Sequence, residues 1–197
     1  TDNSFSEESW LLGKKLFYDK RFSIDSTINC ASCHKLNFAF SDNVSLSLGV
    51  SNRVGKRNAS TLTNIAHSPY FMREGGVPTL EQQVLVPIQE HVEFANNILE
   101  VERRIKGDST FNKLSQKAYG RNIDYFVITR AISNFERFFI SENSRFDRYL
   151  KDDLELNPEE LKGMEIFFGE RGNCSNCHNG FNFTDYSFKN NGLYEIY

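Results

Sequence analysis

The chain lacks any long apolar run. No stretch approaches the roughly 20 apolar residues that a membrane-spanning helix needs, and none resembles the hydrophobic segment of a secretory leader. Thr1 is therefore expected to follow a removed signal peptide or an artificial start. An excess of basic charge is missing too. With a formal net charge of −3 the chain lacks the positive patch of a nucleic-acid binder. Tryptophan occurs once, methionine twice and cysteine four times in 197 residues. That length admits one large domain or two small ones.

The scarce cysteines fall into one pattern used twice, Cys30-Ala31-Ser32-Cys33-His34 and Cys174-Ser175-Asn176-Cys177-His178, with none left over. Cys-x-x-Cys-His is the attachment signature of a c-type haem. Two thiols three positions apart add across the two vinyl groups of one porphyrin, and the next imidazole becomes the proximal iron ligand. Two other chemistries compete. A shared zinc would bring the pairs within roughly 15–20 residues in a common ribbon, whereas residues 34–173 separate these. Redox or vicinal disulfide pairs have no need of a histidine after each pair. Covalent haem attachment takes place outside the bacterial cytoplasm, which points to the periplasm. The 18 Phe and 8 Tyr suit enclosure of two flat macrocycles, or a plain aromatic core.

The surroundings of the motifs also repeat. Leu12-Gly13-Lys14-Lys15-Leu16-Phe17-Tyr18 precedes the first, and Lys162-Gly163-Met164-Glu165-Ile166-Phe167-Phe168 the second. Phe38-Ala39-Phe40-Ser41-Asp42 follows the first, and Phe181-Asn182-Phe183-Thr184-Asp185 the second. Two related haem domains are expected, at 1–154 and 155–197, the second short for an ordinary domain. Helical signals dominate between them. Apolar residues from Ile123 to Phe139 recur at helical spacing over 122–140. Asn96 to Lys106 and Ser109 to Tyr119 end at Gly107 and Gly120. Asn157 before Pro158, Glu159 and Glu160 marks another helix start. Thr79 and Gln82 resemble a capping box, and Pro87 should end or kink the helix that follows. Val44, Leu46, Leu48 and Val50 alternate like a strand or an extended loop. The fold class is mainly α.

These residues together resemble the bacterial di-haem cytochrome c peroxidases, and their relative that matures the tryptophan tryptophylquinone cofactor of methylamine dehydrogenase. The resemblance runs from Leu12 to Glu93, then through Phe146-Asp147-Arg148-Tyr149-Leu150 to the second haem motif. It implies two cytochrome c-like domains, the second incomplete in this chain. The haem on Cys30, Cys33 and His34 would be the peroxide site, and that on Cys174, Cys177 and His178 the electron entry. It places the distal acid–base group on Glu93, with Gln83 and Pro87 completing the distal pocket. Asn58 falls on a family position that helps hold calcium. The implied reaction takes hydrogen peroxide to water with electrons from a small periplasmic cytochrome c or cupredoxin, in a protein that can be a homodimer. Peroxide cleavage needs a proton moved from one oxygen to the other, which a carboxylate within reach can do. An amide such as Gln83 can orient the substrate by donating and accepting hydrogen bonds.

Three positions depart from the family pattern. Relatives that need reductive activation carry a histidine after Ser-Ile-Gly, and here Ser47-Leu48-Gly49 is followed by Val50. The first haem is therefore expected to be open at rest. Near Phe71-Met72-Arg73-Glu74-Gly75, where many relatives have a tryptophan, the residue is Arg73, which removes an indole relay. The family's distal ligand to the second haem lies well after the motif. Met164 precedes it and reads as core packing, and Met72 as packing or loop. His67 reads as structural, and His91 is a weak candidate for the missing distal ligand. Two functions rival peroxide reduction: electron transfer alone, and oxidation of a protein side chain.

Overall fold

The computed structural model of the chain describes residues 2–190 and 192; Thr1, where the leader junction is expected, lies outside them. Contacts divide the chain into two compact units, Thr1–Ile140 and Ser141–Tyr197. This division falls ahead of the expected 154/155 boundary. Among the described residues there are eight α-helices and no strand, only isolated antiparallel bridges at Lys35–Ser41, Leu48–Val54 and Phe71–Val77. The 44–50 segment is therefore a loop, bent over 43–46, bridged at Leu48 and entering a 3₁₀ turn at Val50. Among the described residues no helix is long and apolar enough to cross a membrane.

The first unit is organised on α1 (Glu7–Phe17) and α6 (Tyr125–Glu136). α1 starts at a reciprocal Ser6–Ser9 capping box, a device worth about 1 kcal/mol. Leu12, Leu16 and Phe17, fully buried, form the face turned to α6 and α5 (Ser109–Tyr119). Burying such side chains contributes about 1.5–3 kcal/mol each. Gly13 sets the spacing of α1 and α6, because a Cβ there would sit 1.9 Å from the Ala131 carbonyl oxygen. Trp10, Phe17 and Phe135 meet edge-on, with centroids 5.3 to 5.6 Å apart along the chain of rings.

α5 begins at an Asp108 cap and ends at Gly120, as its sequence signals indicate. α4 (Ile98–Ile105), capped by Asn97, buries Val101 and Ile105. The expected helix over 122–140 is shorter: Asp124 caps Val127 N at 2.9 Å and the helix stops at Glu136. The segment 80–89 splits into α2 (Leu80–Gln83) and α3 (Leu85–Gln89). Pro87 explains the break, since its ring crowds the carbonyl four residues back, at Gln83, and it lacks the N–H that would bond there.

The second unit holds α7 (Arg145–Leu150) and α8 (Pro158–Phe168). Asn157 and Glu160 form the reciprocal cap of α8, and Arg145 grips the same Glu160 with two donors at 2.8 and 2.9 Å. Phe146 packs near Phe168 and Phe183, so residues ahead of 155 belong with this unit.

Candidate functional site

Both cysteine motifs fold into the same turn. Residues Cys30–Ser32 and Cys174–Asn176 form single 3₁₀ turns. In the first, Cys33 N and His34 N donate to the Cys30 carbonyl at 3.2 and 2.9 Å. In the second, Cys177 N and His178 N donate to the Cys174 carbonyl at the same two distances. No disulfide joins the four cysteines. Each imidazole is then fixed by the repeat that follows. His34 Nδ1 lies 2.8 Å from the Phe40 carbonyl, and His178 Nδ1 lies 3.1 Å from the Phe183 carbonyl. A carbonyl only accepts, so Nδ1 carries the proton in each ring and Nε2 is left as the donor to a metal. A ligating histidine is oriented by such a second bond in most metal sites. Phe40 and Phe183 both adopt positive φ, 57° and 52°, which aims their carbonyls back at the rings. The Phe-x-Phe repeat thus positions a ligand.

The first site is set into the helical core. Burial lowers the His34 pKa, offset in part by the Phe40 and Ser60 backbone, which favours the neutral imidazole an iron ligand requires. Burial, then the charge of Glu136, pushes the Cys30 thiol up; burial also raises Cys33. Asp42 locks the loop beyond His34, accepting from Lys35 Nζ and Ser47 Oγ at 2.6 Å each. Burial alone would raise Asp42, but these partners hold it below the usual carboxylate range.

Glu93 belongs to the same neighbourhood, since its charge acts on both Cys30 and Cys33. It sits in the turn after α3, where its carbonyl accepts from Val50 N at 2.9 Å. Gly49 makes that contact possible: a Cβ there would lie 2.0 Å from the Val92 carbonyl oxygen and 2.8 Å from Glu93 Cα. Burial, then Glu90, raises the Glu93 pKa, with Lys56 opposing. Gln83 is half-buried on α2 and Pro87 half-buried on α3.

Other expected residues lie apart from this cluster. Asn58 is exposed and donates to the Val44 carbonyl at 3.0 Å. His91 is exposed, with Nδ1 3.4 Å and its carbonyl 2.9 Å from Arg53 Nη1. Arg73 and Met72 are exposed in the loop before α2, and His67 closes a 3₁₀ turn. Val50 is 1% exposed and offers no ligand atom.

In the second unit, His178 faces a cavity of about 460 Å³ with Met164, Phe146, Phe167, Phe168 and Phe183. Small-molecule and cofactor pockets occupy about 300–1,000 Å³. An aromatic cavity lined by the His178 imidazole suits a flat macrocycle. Around the first motif, Leu36, Phe38 and Leu48 leave apolar surface exposed, as a site for an apolar group would. The donor sets at both motifs fit one covalent haem each.

A family model described as di-haem cytochrome c peroxidase matches residues 7–155. The chain belongs to that family. It is 31% identical over 188 residues to the cytochrome c551 peroxidase of Nitrosomonas europaea, covering 94% of this chain and 56% of that protein. It is 30% identical over 194 residues to the methylamine utilization protein MauG of Methylorubrum extorquens, covering 97% and 55%. The chain spans about half the length of the curated relatives it matches. A crystal structure of a MauG-like protein associated with microbial copper homeostasis superposes with a TM-score of 0.88 at 32% identity, over 93% of this chain and 55% of that one. The diheme peroxidase BthA of Burkholderia thailandensis, at 22% identity and a TM-score of 0.82, covers 93% of this chain and 54% of its own, and bears on the fold alone.

The family's description names two haems, and this chain carries two Cys-x-x-Cys-His motifs to hold them. Two residues that matter to the site escaped notice in the sequence. Gly49 was visible only as part of Ser-Leu-Gly-Val. Glu136 carried a signal, a lone acid after the apolar run Ile128, Ala131, Ile132 and Phe135.

Proposed function

We propose that the protein reduces hydrogen peroxide to water with electrons from a small periplasmic redox protein, a cytochrome c or a cupredoxin. Each peroxide takes two electrons and two protons and yields two waters. The haem on Cys30, Cys33 and His34 supplies, when bound, the redox-active iron at which peroxide is split, and that on Cys174, Cys177 and His178 the point of electron entry. The peroxidatic domain lies within residues 1–154 and the electron-transfer domain includes 155–197, with 141–154 packed in the compact unit of the latter.

Glu93 is the observation that carries this reading. Its carboxyl is raised by burial and Glu90, toward the range where a group both takes and returns protons near neutral pH. Its backbone is clamped by Gly49 and Val50 near the first motif. Glu93 accepts the proton from one peroxide oxygen and delivers it to the other, which leaves as water. Gln83 orients the substrate with its amide, and Pro87 bends the helix that leads to Glu93. Val50 leaves the first haem accessible without prior reduction. The Asn58 side-chain oxygen serves as one calcium ligand of the 6–8 such an ion takes, and the protein works as a homodimer.

The relatives named MauG favour a second reading, oxidation of a protein side chain, and Val50 suits it equally. Steady-state assays separate the two. With a reduced small cytochrome or cupredoxin, the purified holoprotein should consume peroxide stoichiometrically with donor oxidation. Turnover that requires a protein substrate would favour the second reading. Absence of turnover in both assays would leave electron relay.

A further inference from the structure

We infer that Glu136 is a proton-loading site for the first haem: its carboxyl takes up one proton when an electron reaches that haem and releases it when the electron leaves. The inference rests on haem attachment at Cys30 and Cys33 and stands whether peroxide or a protein is the substrate.

Glu136 closes α6 with its side chain inside the first unit, the residue being 5% exposed. Its Oε2 is buried without a hydrogen-bond partner. Buried polar atoms are nearly always paired, so an orphaned carboxyl oxygen calls for an explanation. The neighbouring cation does not supply one. Arg137 is engaged elsewhere, with Nη1 2.7 Å from Glu81 Oε1 and Nη2 3.0 Å from Glu81 Oε2. Asn3 Nδ2 also donates to Glu81 at 2.7 Å, completing that pair. Glu136 further occupies the C-terminal end of its helix, where the backbone dipole disfavours a negative charge.

The same end of α6 rests on the first haem loop. Phe139 follows Glu136 by three residues and stacks on Phe40, with centroids 3.6 Å apart and planes 5° from parallel. Phe40 is the residue whose carbonyl holds His34 Nδ1. Phe135, just before Glu136, meets Phe17 edge-on at 5.3 Å. Glu136 is near enough to the attachment loop that its charge acts on the Cys30 thiol.

Burial is the chief influence on Glu136 itself, pushing its pKa up to about 8, with Arg137 lowering it and Glu81 on α2 raising it. α1 and α4, the other helices packed on α6 besides α2, bury no charged residue. On the haem loop the facing group is Cys30, which becomes an uncharged thioether. The carboxyl therefore sits where a further change of charge nearby bears on its protonation. Adding an electron to the haem removes one positive charge from this low-dielectric interior, and that favours the acid form. In the balanced step, one electron from the donor protein and one proton from solvent convert ferric haem and carboxylate into ferrous haem and carboxylic acid. Only an O–H bond forms, and the net charge of the pair is unchanged. Oxidation reverses it. An ionised Glu136 stabilises the ferric form, so the potential falls as pH rises through the window between the oxidised-state and reduced-state pKa values.

The test uses the holoprotein with both haems verified by intact mass. Redox titrations of both haems are run from about pH 6 to 10 on wild type and on Glu136→Gln, which keeps the shape but cannot ionise. The reduction constant of the first haem should change by up to tenfold per pH unit over part of this range, equivalent to 59 mV for one electron. Glu136→Gln should lose that slope, leaving the second haem unaffected. Reduced-minus-oxidised infrared spectra should show a carboxylic acid C=O band gained on reduction in wild type and absent from the variant. Equal slopes in the two proteins, or no difference in the acid band, would overturn the inference. If Glu136→Gln fails to load haem, Glu136→Asp replaces it. The shorter acid must then shift both the band and the pH of the slope, and unmoved values would refute the assignment.

Discussion

Around Cys30–His34 and around Cys174–His178 the chain makes one turn twice, with matching backbone bonds and a phenylalanine carbonyl holding each imidazole. The surroundings diverge. The first turn leans on a core of α1, α5 and α6 in which Leu12, Leu16 and Phe17 are fully buried, and Cys30 packs against that core. The second is served by α8, which buries no residue completely, and by rings that line an open cavity. Local hydrogen bonds suffice to build a haem loop, whereas control of its chemistry depends on packing. Among the described residues, only the first loop has neighbouring carboxyls lifted by burial, Glu93 and Glu136.

The sharpest way to break this comparison is at Glu93. If it moves the proton during O–O cleavage, Glu93→Gln should slow peroxide turnover about 10²–10⁴-fold, equivalent to about 3–5 kcal/mol of barrier. Glu90→Gln, which removes only a neighbouring charge, should change the rate by about tenfold or less. Steady-state assays with both haems spectroscopically intact decide it. Equal activity of both variants and wild type would make Glu93 a structural acid and shift the function toward electron relay.

Packing gives the next contrast. Leu16→Ala empties a fully buried site and should cost about 2–5 kcal/mol by denaturant unfolding. Phe168→Ala, at a ring that is 49% exposed, should cost clearly less. Equal losses would mean that the second unit is packed as tightly as the first.

A smaller contrast lies in two ion pairs. Glu81 and Arg137 are mostly buried, at 13% and 21% side-chain exposure. Burial raises the Glu81 pKa, but Arg137 and Asn3 outweigh it, so the net shift is downward. A depressed carboxylate contributes stability above its unfolded pKa, and this is lost as pH falls through the folded value. Stability measured from pH 7 down to 3 should therefore drop more steeply in wild type than in Glu81→Gln. At neutral pH the variant should be about 1–3 kcal/mol less stable. Glu160, paired with Arg145 on the surface, is likewise held down to about 2, first by Arg145 and then by the Asn157 backbone. Solvent screens that pair, and Glu160→Gln should leave the stability of the chain nearly unchanged.

The parts legible in the sequence were those governed by neighbours a few residues away. The two haem turns, the Ser109–Tyr119 span of α5 closed by Gly120 and the Asn157 cap follow from local chemistry, as does the Pro87 break between Gln83 and Leu85. The end of α6 was not legible, because Phe138 and Phe139 continue the apolar spacing after the helix stops. Phe139 serves instead to stack on Phe40, far away in sequence. Gly49 against Glu93, Glu81 against Arg137, and the orphaned Glu136 are likewise tertiary facts. The division at 140/141 rests on Arg145 and Phe146 reaching Glu160, Phe168 and Phe183.

The claim that the two haems differ in kind, with the first open to substrate, is tested most directly by the resting ferric protein. Its electronic and paramagnetic spectra should contain a high-spin haem that binds cyanide without prior reduction, in a chain whose mass exceeds that of the peptide by two haems. Two low-spin, six-coordinate haems that refuse cyanide until reduced, with His91 or another side chain on the first iron, would contradict it.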